Sequence, residues 1–136
     1  SRAALAELRV LQGDLERAQA FIDEAHRVEA DYPPSLATVY VAHAKLELAR
    51  GRPELALAEI ERAVALIDEH GDAIDSAGRV YALQLDCLVA CGRSEEALRA
   101  SLRANVWLER QLAPISDPSV RTAYVQLGEN QRIRAR

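Results

Sequence analysis

One short skeleton recurs three times and decides what this chain can fold into. Gly51 is followed by Ala56, Ile60 and Ala63, at five, nine and twelve residues. Gly13, Ala18, Ile22 and Ala25 repeat it upstream. Downstream it returns as Gly92, Ala97 and Ala104, with Ser101 in the isoleucine's place. The joining glycines stand 38 and 41 residues apart. A period in this range belongs to stacked helix pairs, none of which can bury a core alone.

Composition agrees. The apolar residues are mostly Ala and Leu and aromatics are only 4%, a balance that favours helices. With 136 residues the chain holds one all-α domain of about three pairs. Its formal charge is −4, Lys45 is the only lysine, and acids accompany the arginines nearly everywhere. A nucleic-acid-binding domain should show a basic face instead, so no direct nucleic-acid contact is expected. Arg132, Arg134 and Arg136 form the one basic cluster, read as a solvated chain end. No apolar run approaches the roughly 20 residues of a membrane span, and no signal-peptide pattern opens the chain. These absences lead to the expectation of a soluble, cytoplasmic protein. Met is absent, so Ser1 is not a natural start, and the chain is expected to be a piece of something longer.

In chain order, Arg2 to Gln12 reads as a helix stopped by Gly13. Asp14 caps a second helix to about Ala30, with Leu15, Ala18, Ile22, Ala25 and Val28 on one face. Pro33 and Pro34 break the chain. Ser35 caps a third helix to Arg50, and Gly51 ends it. Pro53 sits in the first turn of the fourth, which carries Leu55, Ala56, Ile60, Ala63, Val64 and Ile67. A third pair covers Asp75 to Cys91 and Ser94 to about Leu112. Asp117-Pro118 restarts a short helix to about Leu127, which Gly128-Glu129-Asn130 turns. The units are thus about 1–33, 34–72 and 73–113, with a C-terminal cap over 117–136.

Ala18/Ile22/Ala25 and Ala56/Ile60/Ala63, each after a joining glycine, resemble the second-helix pattern of the tetratricopeptide repeat. The first-helix pattern is reduced to Tyr40, Ala44 and Tyr81, and the units exceed the usual thirty-four residues. Long units rich in Ala, Leu and Arg look like those of large bacterial multidomain regulators, including transcription activators of the MalT type. Asp117-Pro118-Ser119-Val120-Arg121-Thr122-Ala123-Tyr124-Val125 resembles a D-P-x-x-R-x-x-[FY]-[LV] ending common in that group. The resemblance implies a right-handed α-solenoid whose first helices line a concave surface.

On the third helix, Val39, Ala42, Leu46 and Ala49 form one apolar stripe and Val41, Ala44 and Leu48 another. Lys45 and Thr38 fall between them, where a charge needs a partner or a wet groove. Counted back from the joining glycines, Thr38, Val41, Lys45 and Leu48 share register with Arg79, Ala82, Asp86 and Val89. Glu7, Lys45 and Asp86 therefore occupy successive rungs of one line. One reading is a ladder of interhelical ion pairs, each contributing roughly 0–1 kcal/mol when solvated. The other is a polar strip that orients a peptide or effector, floored by Val41, Leu48 and Val89.

Catalytic chemistry is not expected. Cys87 and Cys91 read as small packed residues, and His26, His43 and His70 are scattered over separate elements, too few for a metal site. No phosphate loop or nucleophile constellation appears, and no cofactor is implied. Trp107 reads as a plug between the last long helix and the C-terminal segment. The expectation is a non-catalytic interaction or regulatory module of a bacterial signalling or transcription-regulatory protein, binding a protein or peptide on its concave face. A small-effector sensor and a scaffold that self-associates by end stacking are the alternatives, since terminal repeats without a polar cap tend to stack.

Overall fold

A computed structural model describes residues 1–135, apart from the side chain of Asp72. Eight α-helices and two 3-10 turns make up the described residues, with no strand among them. They are α1 (Arg2–Leu11), α2 (Leu15–Glu29), α3 (Leu36–Ala49), α4 (Pro53–His70), α5 (Ala77–Ala90), α6 (Ser94–Leu112), α7 (Pro118–Val125) and α8 (Gly128–Ala135). Gly13, Gly51 and Gly92 turn α1 into α2, α3 into α4 and α5 into α6 with φ of +76°, +74° and +70°. Only a residue without Cβ takes that backbone freely.

Several expected caps are present. The Asp14 carboxylate accepts from the Arg17 amide at 3.2 Å, and Asp117 accepts from the Ser119 and Val120 amides. Ser35 does not cap α3 with its side chain. Pro33 and Pro34 start a 3-10 turn that carries Ser35 into helical dihedrals, so its hydroxyl cannot reach back to the first free amides. Val28 and Leu55, expected on buried faces, are 49% and 51% exposed; Leu57 takes the buried place in α4.

Each pair folds on itself, and each later first helix packs against both helices of the pair before it: α3 on α1 and α2, α5 on α3 and α4. The two stripes of α3 accordingly enter two different cores. Val39, Ala42 and Leu46 join Ala3, Ala6, Ala18, Ile22 and Ala25 of the first pair. Ala37, Val41 and Ala44 join the second core, with α4, α5 and α6. Most alanines of the recurring skeleton are nearly solvent-free, Ala18, Ala56, Ala63 and Ala104 each at 0%, while Ala97 is only partly buried. Small side chains there let the helix axes approach closely.

The C-terminal segment differs from expectation. Gly128 does not end a helix; it begins α8, which packs on α5 and α6 as α3 and α5 pack on the pairs before them. Ile133 is fully buried there. Arg132 donates to Asp86 on α5, and Arg134 donates to Glu109 on α6. Both side chains stay exposed, as expected of a solvated chain end, and each is also paired; Arg136 lies outside the described residues. Arg121 of α7 donates to the Leu112 and Ile115 carbonyls at 2.6 and 3.0 Å, satisfying acceptors left free where α6 stops. Ile133→Ala should cost about 2–5 kcal/mol if the site cannot collapse. Hydrogen exchange should show α8 protection falling much further than that of α3.

Candidate functional site

The charged line is held by one carboxylate. Glu7 Oε1 of α1 accepts from Lys45 Nζ of α3 and from Arg79 Nη2 of α5, each at 2.5 Å. Three helices from three pairs thus converge on a single oxygen. The Glu7 side chain is 16% exposed, while Lys45 and Arg79 keep 40% and 38% of theirs in solvent. Burial is the largest influence on the Glu7 carboxyl and pushes its pKa up. The bonds from Arg79 and Lys45, with their charges, outweigh it and hold the pKa below the ordinary 4.5.

The other candidates divide. Thr38 donates to the Ser35 carbonyl at 3.0 Å and, with Arg79, lines an open depression of about 550 Å³ that also takes in Tyr32 and Ser76. Asp86 is paired with Arg132. Val41 is 0% exposed and belongs to the core, so it offers no groove floor. Leu48 is half-buried against that core, and Val89 is 50% exposed.

A second polar seam, between the first two pairs, was not visible as a unit in the sequence. Glu47, 4% exposed, accepts from Arg50 at 2.8 Å, and Arg50 also donates to Gln19 of α2 at 2.8 Å. His43 lies 3.7 Å from Glu47 and 3.3 Å from Glu59. The His26 ring stands 6.0 Å from that of His43 and 5.6 Å from that of Tyr40. Burial, then the neighbouring His43, lower the His26 pKa. Among the described residues no three His, Cys, Asp or Glu side chains form a cage for a metal ion. Cys87 is fully buried and its thiol is pushed up to about 12, chiefly by desolvation.

A cleft of about 760 Å³ lies where the end of α4, the start of α5, the second half of α6 and the α7–α8 corner meet. Trp107 forms part of its wall, with its ring 5.7 Å from that of Tyr81. Gly78 makes this packing possible: a Cβ there would stand 3.0 Å from Trp107 Cη2 and 3.2 Å from Asn130 Oδ1. Arg103 and Arg110 of α6 line the cleft, as do Asp68, Asp75 and Glu129. Of the eight sequence candidates only Arg79 reaches it; Lys45 and Asp86 do not line it.

Compared with family models, with curated proteins and with solved structures, the chain matches none. Its site is therefore read from its own geometry.

Because the folded-state pKa of Glu7 is depressed, its contribution to stability is whole above about pH 4.5, its ordinary value. It is lost as pH falls through the lower folded value. Glu7→Gln should cost about 1–2 kcal/mol at pH 7, with the two half-exposed cations discounted for solvent. Denaturant titrations at stepped pH should show the difference from wild type vanishing on the acid side.

Proposed function

We propose that the chain is a helical-repeat module of the tetratricopeptide kind, with pairs stacked as a right-handed α-solenoid. It would work without catalysis, by docking a protein partner within a bacterial signalling or transcription-regulatory protein. One observation carries the docking reading. Leu8 of α1 shares register with Leu46 and Cys87, which are 0% exposed beneath the preceding pairs, yet Leu8 is 46% exposed. Leu5 and Leu11 beside it are 43% and 85% exposed. The side of α1 equivalent to those that α3 and α5 bury inside the molecule has no helix against it among the described residues, and it fits a helical partner with an Ala/Leu/Ile face like those of the internal pairs. The line of Glu7, Lys45 and Arg79 supports this less directly, since both cations are already bonded to the one carboxylate.

Among the described residues α8 packs across α5 and α6, so the α1 face is the surface through which two copies of this chain would meet. Sedimentation across a concentration series tests the reading. Association is expected, abolished by Leu8→Glu with helicity unchanged and unaffected by Val89→Glu. A chain that stays monomeric into the millimolar range would remove the support for this docking face.

A second reading, a small-effector sensor, is favoured by the cleft beside Trp107. Its volume lies within the range of roughly 300–1,000 Å³ usual for small-molecule sites, and polar groups converge on it.

A further inference from the structure

A second run of open apolar side chains lies on α6. Leu98, Leu102 and Val106 recur every four residues and are 61%, 62% and 52% exposed. Single apolar side chains on a surface are ordinary, whereas a contiguous stripe marks an interaction site. The register shows what this side of the helix is for. Six residues past the joining glycines stand Gln19, Leu57 and Leu98; ten past stand Asp23, Glu61 and Leu102. On α2 and α4 these positions meet the first helix of the following pair. Gln19 accepts from Arg50 of α3, Leu57 is buried, and Glu61 accepts from Gln84 of α5. The same side of α6 receives α8, but only along its later half. Asn105 donates to the Ile133 carbonyl at 3.2 Å, and Glu109 accepts from Arg134. Leu98 and Leu102 precede these contacts and stay exposed.

The open side of α1 is the other half of such a boundary. Eight residues before the joining glycines stand Leu5, His43 and Gln84. The Glu61–Gln84 contact inside the molecule therefore has its counterparts in Leu102 and Leu5, two leucines that are both exposed. Charge separates α6 from α1 itself as the mate. Beside the α1 leucines, Arg2 and Glu7 are already in ion pairs, which leaves Arg9. Glu95 and Arg99 flank the α6 stripe. An α1–α1 contact offers Arg9 only its own copy, and like charges brought together are unfavourable. A contact with α6 offers it an acid. We propose that the α1 leucines of one copy dock on the Leu98–Leu102–Val106 stripe of a second copy, beside its α8; the inference rests on the α1 docking face described above. The two surfaces differ, so the contact is heterologous and takes one face from each copy.

Two variants of the intact chain, each spoiling one surface, test this by sedimentation. Leu8→Glu removes the α1 face and Leu102→Glu removes the stripe. Wild type is expected to associate, and each variant alone to stay monomeric at the same concentration with helicity unchanged. Leu98→Glu takes the place of Leu102→Glu should that variant lose helicity. The equimolar mixture of the two variants holds one intact face of each kind. It should associate at least about 10-fold more tightly than either variant alone, and stop at two chains. A Leu102→Glu chain that associates like wild type overturns the α6 assignment and leaves the α1 docking face standing. So does a mixture as monomeric as its parts. A wild-type chain that stays monomeric into the millimolar range removes the α1 docking face and this inference with it.

Discussion

The structure depends on one constraint: no helix pair buries all of its own apolar surface, so α3 and α5 are each covered by the pair before them. Full burial of one leucine-sized side chain contributes about 1.5–3 kcal/mol, and Leu46 realises it only because α1 and α2 lie against α3. Cys87 occupies the equivalent place in α5, and Ile133 does a similar job for α8. Much of the stabilisation therefore resides at the boundaries between pairs. Among the described residues, α8 covers α5 and α6, while Leu5, Leu8 and Leu11 of α1 stay exposed.

Much of this could be read from the sequence, because glycine and the small-residue pattern act locally. Gly13, Gly51 and Gly92 mark the three hairpins through a backbone conformation that other residues resist. The C-terminal helix could not be read the same way. Glycine commonly follows a helix, and the eight residues from Gly128 to Ala135 have almost no apolar periodicity. What makes them helical is tertiary: Ile133 in a closed core and two arginines reaching carboxylates on α5 and α6. Ser35 failed as a cap for a related reason, since two prolines had already set the local geometry. The D-P-x-x-R run gains a physical account here, with Asp117 starting α7 and Arg121 closing the end of α6.

The charged line was partly legible. Counting from the glycines placed Glu7 and Lys45 on neighbouring rungs, which the structure joins. It put Arg79 beside Thr38, because periodicity assigns a side chain to its own rung. An arginine long enough to reach past α3 to α1 lies outside such counting. The cleft was less visible still, as four separate stretches of the chain build its walls. No spacing rule connects Asp68 with Asn130.

Both bonds to Glu7 end on the same oxygen, and this gives the array a mechanical character. The carboxylate ties α1 to α5 as well as to α3, so the first pair cannot tilt away from the second without also pulling on the third. A single proton on that oxygen would slacken both ties together, and the three pairs would keep their helices while losing the one link common to all of them.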